Sequence, residues 1–136
     1  MLRVHQMVVV PTLGKRPGLP RLQALIDAWF DYVESDTFKG GCFFINALFE
    51  LDDIGDMPAN EAVCTQVGAF LDMLEKYAKE AIAAGEFRRD LDVPQFAMAL
   101  YGIDAGALIW RALGRAKSPF AIARKAAREL LKQAMA

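Results

Sequence analysis

The sequence predicts an all-α domain of about five main helices. Three observations carry this reading. Apolar residues recur at spacings of three and four in five separate stretches, the period of a helix stripe. Proline, glycine and capping residues stand at the ends of those stretches, where helices start and stop. No stretch of useful length alternates apolar and polar residues as a half-buried strand does.

The elements follow in chain order. Val8, Val9 and Val10 are β-branched and by propensity alone favour a strand. Pro11 ends whatever precedes it, and the Gly- and Pro-rich residues 12–20 read as a loop. Pro20 opens a helix expected over residues 20–36, with Leu22, Leu25, Ile26, Trp29 and Val33 as its stripe. Gly40 and Gly41 break the chain before the densest apolar run, residues 42–53. There Phe44, Leu48 and Leu51 form one stripe, and Phe43, Ile45, Ala47 and Phe49 fill much of the rest. A helix apolar nearly all round is buried on several sides, so this run reads as the central helix. Between Cys42 and Leu48 its one polar side chain is Asn46, which needs a buried partner.

Asp56 and Pro58 start a long helix over residues 58–84 that Gly85 terminates. Asp92 can cap the next, residues 93–113, with Gln95 at the capping-box position and Gly114 as the stop. Asp104 is its only formal charge between Asp92 and Arg111. Ser118 and Pro119 begin the last helix as N-cap and first residue. Phe120, Ala123, Ala127 and Leu130 make its apolar seam, with Arg124, Arg128 and Lys132 on a face that reads as solvated.

Composition narrows the function. The 136 residues suit one domain, and 54% hydrophobic against 24% charged residues permits a sizeable core. A net charge of −1 gives no basic field for nucleic acid or an acidic membrane. Two cysteines, Cys42 and Cys64, make neither a disulfide framework nor a four-ligand metal site. With no secretory signal, a cytoplasmic location is expected. His5 is the single histidine, which leaves no histidine-based metal or catalytic site. HExxH, GxSxG and Walker patterns are missing, so no catalytic residue, metal or cofactor is expected. The Gly40-Gly41 pair before a helix could hold an anion, though such glycines more often only make the turn. Cys42 at that helix start could be a lowered-pKa thiol, though most free cysteines are small buried hydrophobes. Large side chains on several helices are mostly core, yet an apolar wall with a few polar groups is also what a ligand pocket needs.

With the helix order established, the chain resembles the C-terminal domain of TetR-type (tetracycline-repressor-like) transcription regulators. The carrying stretches are PRLQALIDAWFDYVE at 20–34, GGCFF at 40–44 and AGEFRRDLDVPQFA at 84–97. The resemblance implies that residues 5–10 end a connector helix, against their strand propensity. It implies a ligand pocket enclosed by the three helices that begin at Pro20, Cys42 and Pro58. The last two helices would form a four-helix bundle with a second subunit, Gly102 and Gly106 letting backbones approach. Residues 1–19 would be a remnant of connector and loop, and residues 20–136 the ligand-binding and dimerisation domain. A helix-turn-helix precedes the connector in the family, and none is expected in this chain, so DNA would be reached only through a reader domain missing here.

The expected ligand site gathers Trp29, Phe44, Asn46, Leu48, Phe70, Met73, Tyr77, Tyr101 and Asp104 around a small, mainly apolar molecule. Asp104 would favour a cationic or donor-rich ligand if it faces that space, and would need a donor of its own if it faces the dimer seam. The expected homodimer interface uses Gly102, Ile109 and Leu113 with Gly106, and the seam of Phe120, Ala123, Ala127 and Leu130, which would be wasted in a monomer. Two other readings compete: a helical interaction module without a cavity, and an enzyme using Cys42 or Asp104.

Overall fold

The computed structural model describes residues 5–35 and 57–136, with side chains from Cys64 onward in the second stretch. The expected central helix over residues 42–53 lies outside the described residues, and Phe44, Asn46 and Leu48 with it. The described residues form helices joined by turns and loops and contain no strand, only an isolated antiparallel bridge between Phe87 and Met135.

The chain enters through a π-helical turn, His5–Val9, and a 3-10 turn, Val10–Thr12. Strand propensity loses here because it measures fit to a pleated surface, and the described residues offer no sheet to fit. Val8 and Thr12 point inward instead, and both are buried.

Helix α1, Leu19–Glu34, carries Pro20 in its first turn. Its N-cap is Gly18, which has no side chain to cap with. The cap comes from far along the chain: Glu86 Oε1 accepts from the Leu19 amide at 3.2 Å. Arg16 holds the other oxygen of Glu86 at 2.8 Å. Gly18 has φ +107°, and a Cβ there would stand 2.5 Å from Glu86 Oε1. The positive φ is what requires glycine here, while a Cβ would displace the carboxylate end of the Glu86 side chain from its capping position.

Helix α2, Met57–Ala83, ends as expected at Gly85, whose φ is +76°. The amides of Gly85 and Glu86 turn back onto the carbonyls of Ile82 and Ala81 at 3.0 and 2.9 Å, satisfying the helix end. Helix α3, Val93–Ala112, starts on Asp92, whose carboxylate accepts from the Gln95 amide at 3.1 Å. Gly114, with φ +64°, follows its end. Helix α4, Pro119–Ala134, starts after Ser118 as the sequence indicated, but the Ser118 hydroxyl makes no capping bond.

One continuous core joins these elements. Leu22, Leu25 and Phe30 of α1, Leu74 and Ala78 of α2, Phe96 and Leu100 of α3, and Phe120 of α4 meet with Phe87 from the α2–α3 turn. Arg124 does not belong to a solvated face. It reaches Asp31 at 2.8 Å and Glu34 at 2.6 Å and ties α4 to α1. The chain end closes the other side. Ala134 accepts from the Arg88 amide at 2.9 Å, and the Ala136 amide donates to Glu86 at 3.1 Å.

Candidate functional site

Three helices each send one ring to a common point. Trp29 of α1 stacks on Tyr101 of α3 with centroids 5.8 Å apart. Phe70 of α2 meets the edge of Trp29 at 4.8 Å and lies 6.4 Å from Tyr101. The helical period explains the meeting. Trp29 lies one turn beyond Leu25 and Ile26 on the inward stripe of α1, and Tyr101 is adjacent to Leu100 on that of α3. Met73, one turn after Phe70, is half-buried against the same core.

Asp104 stands one turn after Tyr101. It has 0% relative exposure, and neither carboxylate oxygen has a hydrogen-bond partner among the described residues. Burial pushes its pKa from an ordinary 3.8 up to about 7, with the charge of Arg111 opposing the rise. Arg111 does not pair with it. Its guanidinium donates to the Val33 carbonyl at 3.4 Å and lies 5.3 Å above the Phe120 ring. Two contacts between α1 and α3 therefore bracket Asp104: Trp29 on Tyr101 before it, and Arg111 on Val33 after it. The alternative of Asp104 on the outward seam is answered by this placement, since it shares the inward face with Leu100 and Ala107.

Tyr77 is elsewhere. Its hydroxyl lies 3.2 Å from that of Thr12, which itself donates to the Val9 carbonyl at 2.7 Å, so Tyr77 is the donor. The Arg21 guanidinium lies 5.8 Å from the Tyr77 ring centroid. Tyr77 thus fastens α2 to the N-terminal turns. Nothing in the sequence marked Thr12, because a threonine just after Pro11 and shortly before Gly14 reads as loop.

The outward side of α3 and α4 differs from the expected seam. Phe120, Ala123 and Ala127 are buried within the single chain, Phe120 at 2% exposure, so they are not left over for a partner. The protomer's own core covers them, and Leu130 is partly covered too. Ile109 and Leu113 are exposed as expected, as is Gly102, with Gly106 half-buried. Beside them stand three residues that the sequence reading missed for this surface: Met98, 72% exposed, Trp110 and Ile122. A groove of about 190 Å³ between α3 and α4 is lined by Ile103, Gly106, Trp110, Pro119, Ile122 and Ala126, among others. The missed signal was a second stripe, Met98, Gly102, Ala105 and Ile109, hidden because α3 is apolar almost all round.

Among the described residues no helix is long and apolar enough to cross a membrane. No curated protein matches the chain. A family model described as tetracyclin repressor-like, C-terminal domain, matches residues 18–127. That span runs from the glycine that opens α1 to the buried face of α4, and it takes in all three rings and Asp104. With well over half its length matched, this all-helical chain belongs to the tetracycline-repressor-like C-terminal domain family.

Proposed function

We propose that the domain senses a small, mainly apolar ligand next to Trp29, Phe70 and Tyr101, and pairs with a second copy through the outward sides of α3 and α4. Domains of this family belong to transcription regulators, and they typically bind small ligands and dimerise. The observation that carries the sensing role is the meeting of one ring from each of α1, α2 and α3 beside an orphaned carboxylate. A purely structural core has no use for that carboxylate, which costs stability wherever it stays unpaired. Ligand binding there would bias the relative placement of the three helices, and the Tyr77–Thr12 bond would pass that bias to the N-terminal turns. DNA would be read by a separate helix-turn-helix.

Dimerisation rests on exposed apolar surface. Met98, Ile109, Trp110, Leu113 and Ile122 are too many large apolar groups on one side to be scattered singly. A self-complementary patch of this kind suits a two-fold pair.

One observation favours a rival reading, a helix bundle that holds no ligand: the three rings already touch one another. Thermal-shift screening of a small-molecule library decides between them. A ligand at about a hundred times its Kd stabilises the native state by ~2.7 kcal/mol. Phe70→Trp, which adds bulk at the meeting point, should abolish that gain and leave the fold intact. A library without a single stabilising compound, or one whose stabilising compounds ignore the Phe70 change, sinks the sensing reading.

A further inference from the structure

We infer that the groove between α1 and α4 is a second binding site, for an α-amino acid with a large apolar side chain, its ammonium group held by Asp27 and its carboxylate by Arg128. The groove shares no lining residue with the three rings, so it does not depend on the sensing role proposed for them. The helical period builds it. On α1, Gln23 and Asp27 stand one turn apart, and so do Ile26 and Phe30 beside them. On α4, Arg124 and Arg128 repeat the polar spacing, and Ala127 and Leu131 the apolar one. Together they line a groove of about 310 Å³, at the small end of ligand sites. Its four apolar residues are buried, while Gln23, Asp27 and Arg128 are exposed. The groove therefore joins an apolar floor to a polar rim.

The charges select the guest. Arg124 is held by Asp31 at 2.8 Å and Glu34 at 2.6 Å. Gln23, Asp27 and Arg128 make no hydrogen bond or ion pair among the described residues. Burial and the neighbouring Asp31 push the Asp27 carboxyl up, and the charges of Arg124 and Arg128 oppose this only in part. Asp27 is thus short of positive charge, and the Arg128 guanidinium has no carboxylate of its own. A guest that serves both needs an ammonium and a carboxylate close together, and an α-amino acid carries them on one carbon. Its side chain would lie on the apolar floor, and the Gln23 amide adds a donor and an acceptor. A simple anion or a simple cation would serve one helix and leave the other unserved.

The test uses a zwitterion and its two halves. L-phenylalanine carries both charges, 3-phenylpropionate lacks the ammonium, and 2-phenylethylamine lacks the carboxylate. In calorimetric titration of the full chain, L-phenylalanine should bind with a Kd below about 1 mM and more tightly than either half. Asp27→Asn and Arg128→Gln should each weaken it roughly fivefold to tenfold, the worth of one charged contact at a partly wet site. Asp27→Asn should leave 3-phenylpropionate unchanged, and Arg128→Gln should leave 2-phenylethylamine unchanged. Both positions are exposed, so both variants should keep the native circular dichroism. Phe70→Trp, at the rings, should leave L-phenylalanine binding as it was. Absence of saturable binding by both L-phenylalanine and L-leucine overturns the site and leaves the sensing reading untouched. Equal affinity for the zwitterion and its halves, or binding that ignores both groove variants, overturns it too. Binding lost in Phe70→Trp but kept in Asp27→Asn places the amino acid at the rings instead.

Discussion

Replacing Asp104 by leucine should make the ligand-free domain more stable, and the gain should depend on pH. Leucine branches at the same carbon as aspartate and carries methyl groups where the orphaned oxygens stand. The magnitude follows from linkage. Asp104 titrates near 7 when folded and near 3.8 when unfolded. Between these values the native state holds a proton that the unfolded chain has released, so unfolding gains from every rise in pH. Stability therefore falls from about pH 4 to about pH 7 and levels off above that. Three pKa units at 1.36 kcal/mol each come to a penalty of about 4 kcal/mol near pH 8, as an upper figure. Asp104→Leu removes this penalty and the slope with it. Urea unfolding followed by circular dichroism, at fixed protein concentration, should show a midpoint raised by about 2 M near pH 8 and by less near pH 5. A wild-type midpoint that does not fall between these two pH values, with no gain on substitution, would refute the reasoning. It would mean that Asp104 finds a donor in solution, with Arg111 the first suspect.

Other substitutions separate the remaining claims. Gly18→Ala drives a Cβ into Glu86 and strains the backbone at φ +107°; the expected loss is ~1–3 kcal/mol, read as a lower melting temperature. Tyr77→Phe removes the bond to Thr12 at a cost of ~0.5–1.5 kcal/mol, and amide exchange should rise at residues 5–12 before it rises elsewhere. Ile109→Glu and Phe120→Ala form a contrasting pair. The first, on the exposed side, should halve the mass seen by light scattering without lowering the protomer's helicity. The second, inside the protomer, should cost ~3–5 kcal/mol of stability whatever the assembly state. A native mass already that of a single chain at micromolar concentration would remove the dimer.

Local signals in this chain were legible, and long-range ones were not. Asp92 and Gln95, Gly85 and Gly114 mark helix ends through bonds that close within a few residues, so sequence spacing suffices to find them. Trp29 was marked by periodicity, since it lies on the apolar stripe of its helix, whereas the helix that carries Tyr101 is apolar almost all round and its spacing singles out no face. What covers a stripe is a different matter. Phe120, Ala123 and Ala127 form a proper apolar seam, and nothing in the spacing distinguishes burial by the same chain from burial by a partner. Glu86 carries no mark of its own in the sequence, standing in the charged stretch after Gly85. Its role as the cap of α1 spans a separation that no local rule can see, and the same is true of Thr12 beneath Tyr77.

The corner around Glu86 also bears on the order of assembly. Its side chain binds the start of α1, and its carbonyl takes the Ala136 amide, so one residue joins positions far apart on either side of it in the sequence. Closing such long loops costs chain entropy before any contact returns it. The helical hairpin of α3 and α4 closes a short loop and can form early. During synthesis α1 stays without its cap until Glu86 has left the ribosome, well after α1 itself has emerged. Pulse-labelled exchange should accordingly find the Leu19 amide among the last to gain protection.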